Sequence, residues 1–346
     1  MTDRFPALHA AYNGTSPDIE GHLAFAGEGA VVLGRAKLGD GAWLGPWAVI
    51  RADGHDVVVG AGFHLGEHGT VHIAHDIYPA HIGTHVTAGA GAVIHACTVA
   101  DDCVVDRGAV ILDGSRIGAG AVIAAGSVVF PRTELDGGWL YAGCPAKPVG
   151  PVSASELADH HDRVRRDRAT ALPGLASSPN QPDCFVAPTA RVRGDVSTGN
   201  GVGIWYGCRL DAGAHRIVIG EGTNVQDNSF LTCEEASIEI GPDVTIGHNV
   251  TLSDCTIGAN CLIGIGSVIA KGTVVEDDVL LAAGAQTEPG QTLTAGNVWA
   301  GRPARATRPM NPKFRGMLSE ILPQYREYAE RFRVTPHDPL APVSDD

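Results

Sequence analysis

Lysine is nearly missing from this chain: Lys37, Lys147, Lys271 and Lys313 are the only four, and 25 Lys plus Arg against 39 Asp plus Glu give a formal charge of −14. A nucleic-acid-binding face needs a dense positive stripe, which this balance excludes. Aromatic residues are scarce, at 5%, and charged residues reach only 18% while 44% of the chain is hydrophobic. Such a composition excludes disorder. No run of about 18 apolar residues occurs, and the amino end has no basic start followed by an apolar stretch. These absences predict a cytoplasmic protein with no membrane partner. No two of the eight cysteines form a Cys-x-x-Cys pair, so they are expected to be buried small hydrophobes rather than disulfide or metal frameworks.

What the chain does have is 45 Gly and 21 Pro among aliphatic residues. That mixture suits many tight corners joined by short apolar segments. A length of 346 residues predicts about two domains.

Two periods run through the sequence. Trp47, Arg51, Asp53, Cys97, Cys103, Gly143, Pro145 and Ala146 recur 158 positions later as Trp205, Arg209, Asp211, Cys255, Cys261, Gly301, Pro303 and Ala304, which marks a tandem duplication. The shorter period is six: aliphatic residues stand at Val99, Val105, Ile111, Ile117, Ile123 and Val129, and again at Ile257, Ile263, Ile269, Val275 and Leu281. These are hexapeptide repeats. Three of them make one triangular coil of a parallel β-helix, with the aliphatic residue pointing inward and Gly, Asp or Asn at the corner.

Each half then leaves the coil pattern for a helix-like segment, Ser155–Ala169 in the first and Pro312–Phe332 in the second. In the latter, Phe314, Met317, Leu318, Ile321, Tyr325 and Tyr328 keep helical spacing, with Pro323 as an interruption. The predicted organisation is a first β-helix domain with its helix over 1–170, a linker over 171–183, a second such domain over 184–335 and a loose tail over 336–346.

Histidine breaks the bland pattern, with eight of 15 lying between His55 and His95. The corner positions of His55, His64, His68 and His85 predict solvated side chains. His72 and His95 each follow an inward aliphatic, Val71 and Ile94, so the coil count puts them on one face of successive coils, roughly 4.8 Å apart at the backbone. Two imidazoles do not complete a zinc site. In the second half their counterparts are Thr232 and Ser253. A different face there carries Gln226 and His248, one coil apart, where the first half has Gly66 and Ala90. The losses are complementary.

Together these residues resemble the γ-class carbonic anhydrases across nearly the whole of both halves. The resemblance is carried by the Arg-x-Asp pairs Arg51/Asp53 and Arg209/Asp211, by Asn224-Val225-Gln226-Asp227 and by Val244-Thr245-Ile246-Gly247-His248. The Cys-Thr pairs at 97 and 255 and Gly-x-Pro-Ala at Gly143 and Gly301 add to it. It implies two left-handed parallel β-helix domains, each followed by an α-helix, and zinc (or Fe²⁺ or Co²⁺) held between β-helices of a homo-oligomer. By the same resemblance His72, His95 and His248 are the ligands and Gln226 with Asn224 hydrogen-bonds the metal-bound water. The Arg-x-Asp pairs bridge neighbouring β-helices. Because neither half has all three imidazoles, the site must be shared between a first-half and a second-half domain.

The implied reaction is attack of metal-bound hydroxide on CO₂, giving bicarbonate, or on a related electrophilic carbon of a small metabolite. Where some family members carry an acidic proton-export loop, this chain has His75-Asp76-Ile77-Tyr78; Glu67, His75 and Tyr78 are the candidates to handle protons. Three readings follow: a zinc lyase of this type, including one repurposed for hydration, hydrolysis or cyclisation of a larger metabolite; a hexapeptide acyltransferase; and a metal-free scaffold with relic histidines.

Overall fold

A computed structural model describes residues 5–166 and 183–340, apart from the side chains of residues 313 and 314. The chain divides into two units, Met1–Leu172 with Thr335–Asp346, and Pro173–Val334. Both are β-helices built of short parallel strands.

In the first unit the aliphatic ladder runs Ile50, Val71, Ile94, Ile111, Val129, each directly opposite the next on adjacent parallel strands. All are buried in one continuous core with Val99, Val105, Ile117 and Ile123. The second unit repeats this with Leu210, Leu231, Leu252 and Ile269. Every aliphatic position of the six-residue period is at most 2% exposed. Burying such side chains contributes roughly 1.5–3 kcal/mol each. The long strand Val49–Val59 turns a corner of the prism, since its first part pairs with Thr70–His72 and its last part with Ala80–Ile82.

Corners need a positive φ, and counterpart positions in the two units show it even where the residue differs, as at Ala96 (49°) and Asp254 (42°). Cysteines line others. Cys103 Sγ donates to Gly118 O at 3.1 Å, and Cys261 Sγ donates to Glu276 O at 3.1 Å, so each thiol ties a corner to the following coil. All eight cysteines are free thiols, with Cys144 and Cys184 half-buried and the rest buried. Each β-helix closes on an antiparallel hairpin around Gly-x-Pro-Ala, Trp139–Gly143 with Ala146–Pro151 and Asn297–Ala300 with Arg305–Pro309.

Helix α1, Ala154–Arg166, starts at a capping box: Ser153 N–H donates to Glu156 Oε2 at 2.8 Å and Glu156 N–H to Ser153 Oγ at 3.3 Å. It packs Val164 and Leu157 against Val104 and Val122. Residues 167–169 of the expected helix, and the linker up to 182, lie outside the described residues. Helix α2, Pro312–Val334, runs on through Pro323 where an interruption was expected. Its buried face spans the proline, with Leu318 and Leu322 on one side and Tyr325, Tyr328 and Phe332 on the other. The last three set their rings edge-on to Trp205, with centroids 5.1, 6.3 and 6.3 Å away. Packing outweighs one lost backbone hydrogen bond.

Two expectations are corrected. The segment read as a loose tail over 336–346 is partly ordered: Asp338–Pro339 pairs antiparallel with Leu8–Ala10, and Leu340 is buried in the first unit's core. The edge strand offers unpaired backbone groups, and these residues take them. His64 and His68, expected to be solvated, are buried. Outward residues of adjacent coils stand in register about 4.8 Å apart, so rings stack. Trp43 covers His64 at a centroid distance of 4.1 Å, and Trp47 lies 6.4 Å from His68. Among the described residues, no helix is long and apolar enough to cross a membrane.

Candidate metal centre

In the first unit, Arg51, His72 and His95 stand opposite one another on three successive strands. Arg51 donates to Asp53 Oδ2, and both side chains are fully buried. Asp53 Oδ1 lies 3.1 Å from His72 Nε2, His72 Nδ1 lies 3.3 Å from His95 Nε2, and His95 Nδ1 lies 2.6 Å from Asp113 Oδ1. A carboxylate accepts and does not donate, so the imidazole nitrogen beside each acid carries the proton. The facing nitrogens therefore turn lone pairs toward each other. A shared cation would relieve that repulsion. A tetrahedral zinc with bonds of 2.0–2.1 Å has ligand nitrogens about 3.3–3.4 Å apart, so the pair fits two of its positions.

In the second unit Asn224 stands opposite Thr245 and Val225 opposite Ile246, which sets Gln226 and His248 on adjacent coils just past the strand ends. His248 is wholly buried and Gln226 nearly so. Asp227 Oδ2 lies 3.1 Å from His248 Nδ1, while Asp227 Oδ1 accepts the Tyr206 N–H at 3.1 Å. Tyr325 Oη of α2 stands 3.4 Å from His248 Nε2. Asn224 Nδ2 donates to Thr245 Oγ1 at 3.1 Å, and its Oδ1 is buried without a hydrogen-bond partner among the described residues. A buried, unpartnered carbonyl oxygen calls for a donor from water or a ligand.

Strand register decides which residues correspond. Arg51 pairs with His72, and Asp211 pairs with Thr232, so Asp211 rather than Arg209 takes the place of Arg51, and Gly213 that of Asp53. Trp47 (φ 60°) likewise corresponds to Gly207 (φ 66°). The repeat offset is 160 here and falls to 158 past the loop after His72, which is two residues shorter in the second unit. The match of Arg209/Asp211 to the Arg-x-Asp motif is thus one of spelling. Arg209 Nη2 and Asp211 Oδ2 lie 3.4 Å apart in the same strand, and Arg193 reaches Asp211 at 3.7 Å. The complementary split is deeper than the histidines alone: the second unit has Asp211, Gly213, Thr232 and Ser253 where the first has Arg51, Asp53, His72 and His95. In turn, the first unit has His64, Gly66 and Ala90 for Asn224, Gln226 and His248.

Glu67 follows Gly66 at a corner that corresponds to Asp227, at the opposite end of strand Thr70–His72 from the histidine pair. Tyr78 closes the loop that starts at Ala74, and its ring covers Gly114, where a Cβ would come within 3.2 Å of it. Sequence reasoning singled out neither Asp113 nor, for the site, Tyr325. Asp113 sits one coil beyond His95, and Tyr325 arrives on a helix whose docking no local motif announces.

The family model described as bacterial transferase hexapeptide (six repeats) matches residues 96–131 and 254–287. Protein YrdA of Escherichia coli K12 is 37% identical over 153 residues, 42% of this chain and 83% of that protein. Gamma carbonic anhydrase 1, mitochondrial, of Arabidopsis thaliana is 36% identical over 165 residues, 46% of this chain and 60% of that protein. The chain belongs to the γ-carbonic-anhydrase-like hexapeptide-repeat family. It is a tandem member, with two repeat regions where the family model matches. It spans three fifths or less of the length of the Arabidopsis γ carbonic anhydrases 1, 2 and 3 it matches, 60%, 56% and 26%. A putative acetyltransferase from Desulfovibrio desulfuricans G20 covers 99% of the chain with a TM-score of 0.63 at 13% identity, a likeness of fold alone.

Proposed function

We propose that this γ-carbonic-anhydrase-like chain is a metal-dependent enzyme with one kind of site, shared between its units. His72 and His95 of the first unit and His248 of the second hold zinc, or Fe²⁺ or Co²⁺ in its place. The observation that supports this reading is the complementary retention of whole side-chain networks: each unit keeps the residues the other has replaced. Random decay of a scaffold would not leave one complete set of parts.

Zinc held by three neutral imidazoles supplies a Lewis acid that brings the pKa of a bound water near 7. The chain's own residues do the rest. Asp53 lies against Nε2 of His72 and Asp227 beside Nδ1 of His248, so the opposite nitrogens, His72 Nδ1 and His248 Nε2, are the ones that would ligate, the latter in place of its contact with the Tyr325 hydroxyl. Gln226, two residues on from the unpartnered Oδ1 of Asn224, would orient the reacting oxygen by accepting from it through an amide oxygen, and its amide NH₂ would donate to the charge that develops on the product carboxylate. The substrate is CO₂, hydrated to bicarbonate and a proton, or the electrophilic carbon of a small metabolite. Neighbouring β-helix faces associate as a homo-oligomer.

The test is metal per chain by elemental analysis, together with CO₂ hydration by stopped flow. One ion per chain or fewer, with activity that a chelator removes and zinc restores, supports the reading. Two ions per chain would show that the faces bearing Thr232 and Gly66 also bind, and no bound metal at all would leave a scaffold. Thermal protection by coenzyme A would instead indicate an acyltransferase.

A further inference from the structure

Sequence motifs account for His72 and His95 but not for the acid behind the second of them. We propose that Asp113 is a positioning residue for His95: its carboxylate accepts a hydrogen bond from Nδ1–H and so aims the Nε2 lone pair at the space shared with His72. The inference rests on reading the two histidines as metal ligands.

Three observations carry it. The first is geometric. Asp113 Oδ1 lies 2.6 Å from His95 Nδ1, while His95 Nε2 lies 3.3 Å from His72 Nδ1, so the ring is held between an acid on one side and its partner ligand on the other. A neutral imidazole has one donor and one acceptor nitrogen, and which is which follows from the hydrogen bond the ring makes on its far side. The second is that His72 is arranged in the same way, with Asp53 Oδ1 3.1 Å from its Nε2. Both rings have their outward nitrogen on a carboxylate.

The third comes from the duplication. Past the loop the offset is 158, which sets Ser253 in the place of His95 and Lys271 in the place of Asp113. The second unit has therefore replaced the acid together with the ligand. Lys271 turns away to Glu235, with Nζ 2.7 Å from Oε1. An ammonium group has no lone pair to accept an imidazole N–H. Where the histidine is gone, the acid is gone too, and its replacement has the opposite charge.

The substitutions Asp113→Asn, Asp113→Ala and Asp113→Glu in the full chain test this. An amide can present its N–H₂ and hold the ring in the other tautomer, whereas alanine offers nothing. With ¹⁵N-labelled histidine and no metal, the wild-type spectrum should show His95 protonated at Nδ1. In the Asn and Ala variants that signature should move toward Nε2 protonation. Zinc affinity, measured by competition with a chromophoric chelator, should fall about 10–100-fold in both, with partial recovery in Asp113→Glu and an unchanged melting temperature. An unchanged tautomer in the Asn and Ala variants, or full zinc affinity despite a changed one, would overturn the proposal. A wild-type chain that takes up no zinc would bring down the metal assignment instead, and the tautomer spectrum would still decide the role of Asp113.

Discussion

His72 and His95 lie directly opposite each other on adjacent parallel strands, and the Nδ1 of one faces the Nε2 of the other across 3.3 Å. A β-helix fixes that spacing through its coil repeat, so backbone geometry alone sets the two imidazoles side by side, and a metal site built on them would need a third ligand from elsewhere. His248, backed by Asp227 in the second unit, is the third in the reading proposed above.

If the site is shared in this way, His72→Ala and His248→Ala should each lose metal, although the residues are 176 positions apart in sequence. Elemental analysis of the purified variants checks this. Retention of full metal and activity by His248→Ala would reduce the second unit to scaffold. Co-expression of the two variants distinguishes pairing within a chain, which leaves every site one ligand short, from pairing between chains, which restores some.

Alkaline pH should destabilise the fold through its corner thiols. Burial pushes Cys103 up to about 11 and Cys255 and Cys261 up to about 12, from an ordinary value of 9.0. A raised folded-state value favours the neutral thiol in the native state, so this stability is complete below pH 9. It is lost as pH rises from about 9 toward 11–12, because the unfolded chain ionises first. Urea midpoints measured from pH 8 to 11 should fall increasingly steeply, the unfolding free energy dropping by up to about 1.4 kcal/mol per pH unit for each thiol involved. Flat midpoints across that range would contradict the assignment.

Helix α2 is held by the aromatic set around Trp205, and Phe332 is its most buried helix member, at 1% exposed. Phe332→Ala should cost about 3–5 kcal/mol by urea unfolding. Tyr325→Phe keeps the ring and removes only the hydroxyl 3.4 Å from His248, so it should cost no more than about 1.5 kcal/mol. Equal losses from both would mean that the hydroxyl, not the packing, secures the helix.

Gly66 marks how far the first unit has moved from a binding edge. A Cβ there would come 2.6 Å from the backbone nitrogen of Ala90, although its counterpart Gln226 carries a full side chain. Gly66→Gln should therefore destabilise by about 1–3 kcal/mol, read as a lower melting temperature. A neutral effect would show that the coil spacing yields easily.

The repeat pattern was enough to place the inward residues from Val71 and Ile94 to Val129, the pairing of His72 with His95, and the absence of their counterparts at Thr232 and Ser253. Each follows from counting along a coil whose side chains alternate strictly in and out. Counting fails where the coil length changes. The loop after His72 is two residues longer than its counterpart, and only strand pairing shows that Asp211, not Arg209, replaces Arg51. Through-space neighbours were equally hidden: the stacking that buries His64 on Trp43, the strand Asp338–Pro339 on Leu8–Ala10, and the approach of Asp113 and Tyr325 to histidines 18 and 77 positions away. Local alternation and turn chemistry determine a coil from its own residues. Which coil meets which helix, and in what register, depends on contacts between segments distant in sequence, and only the folded chain decides those.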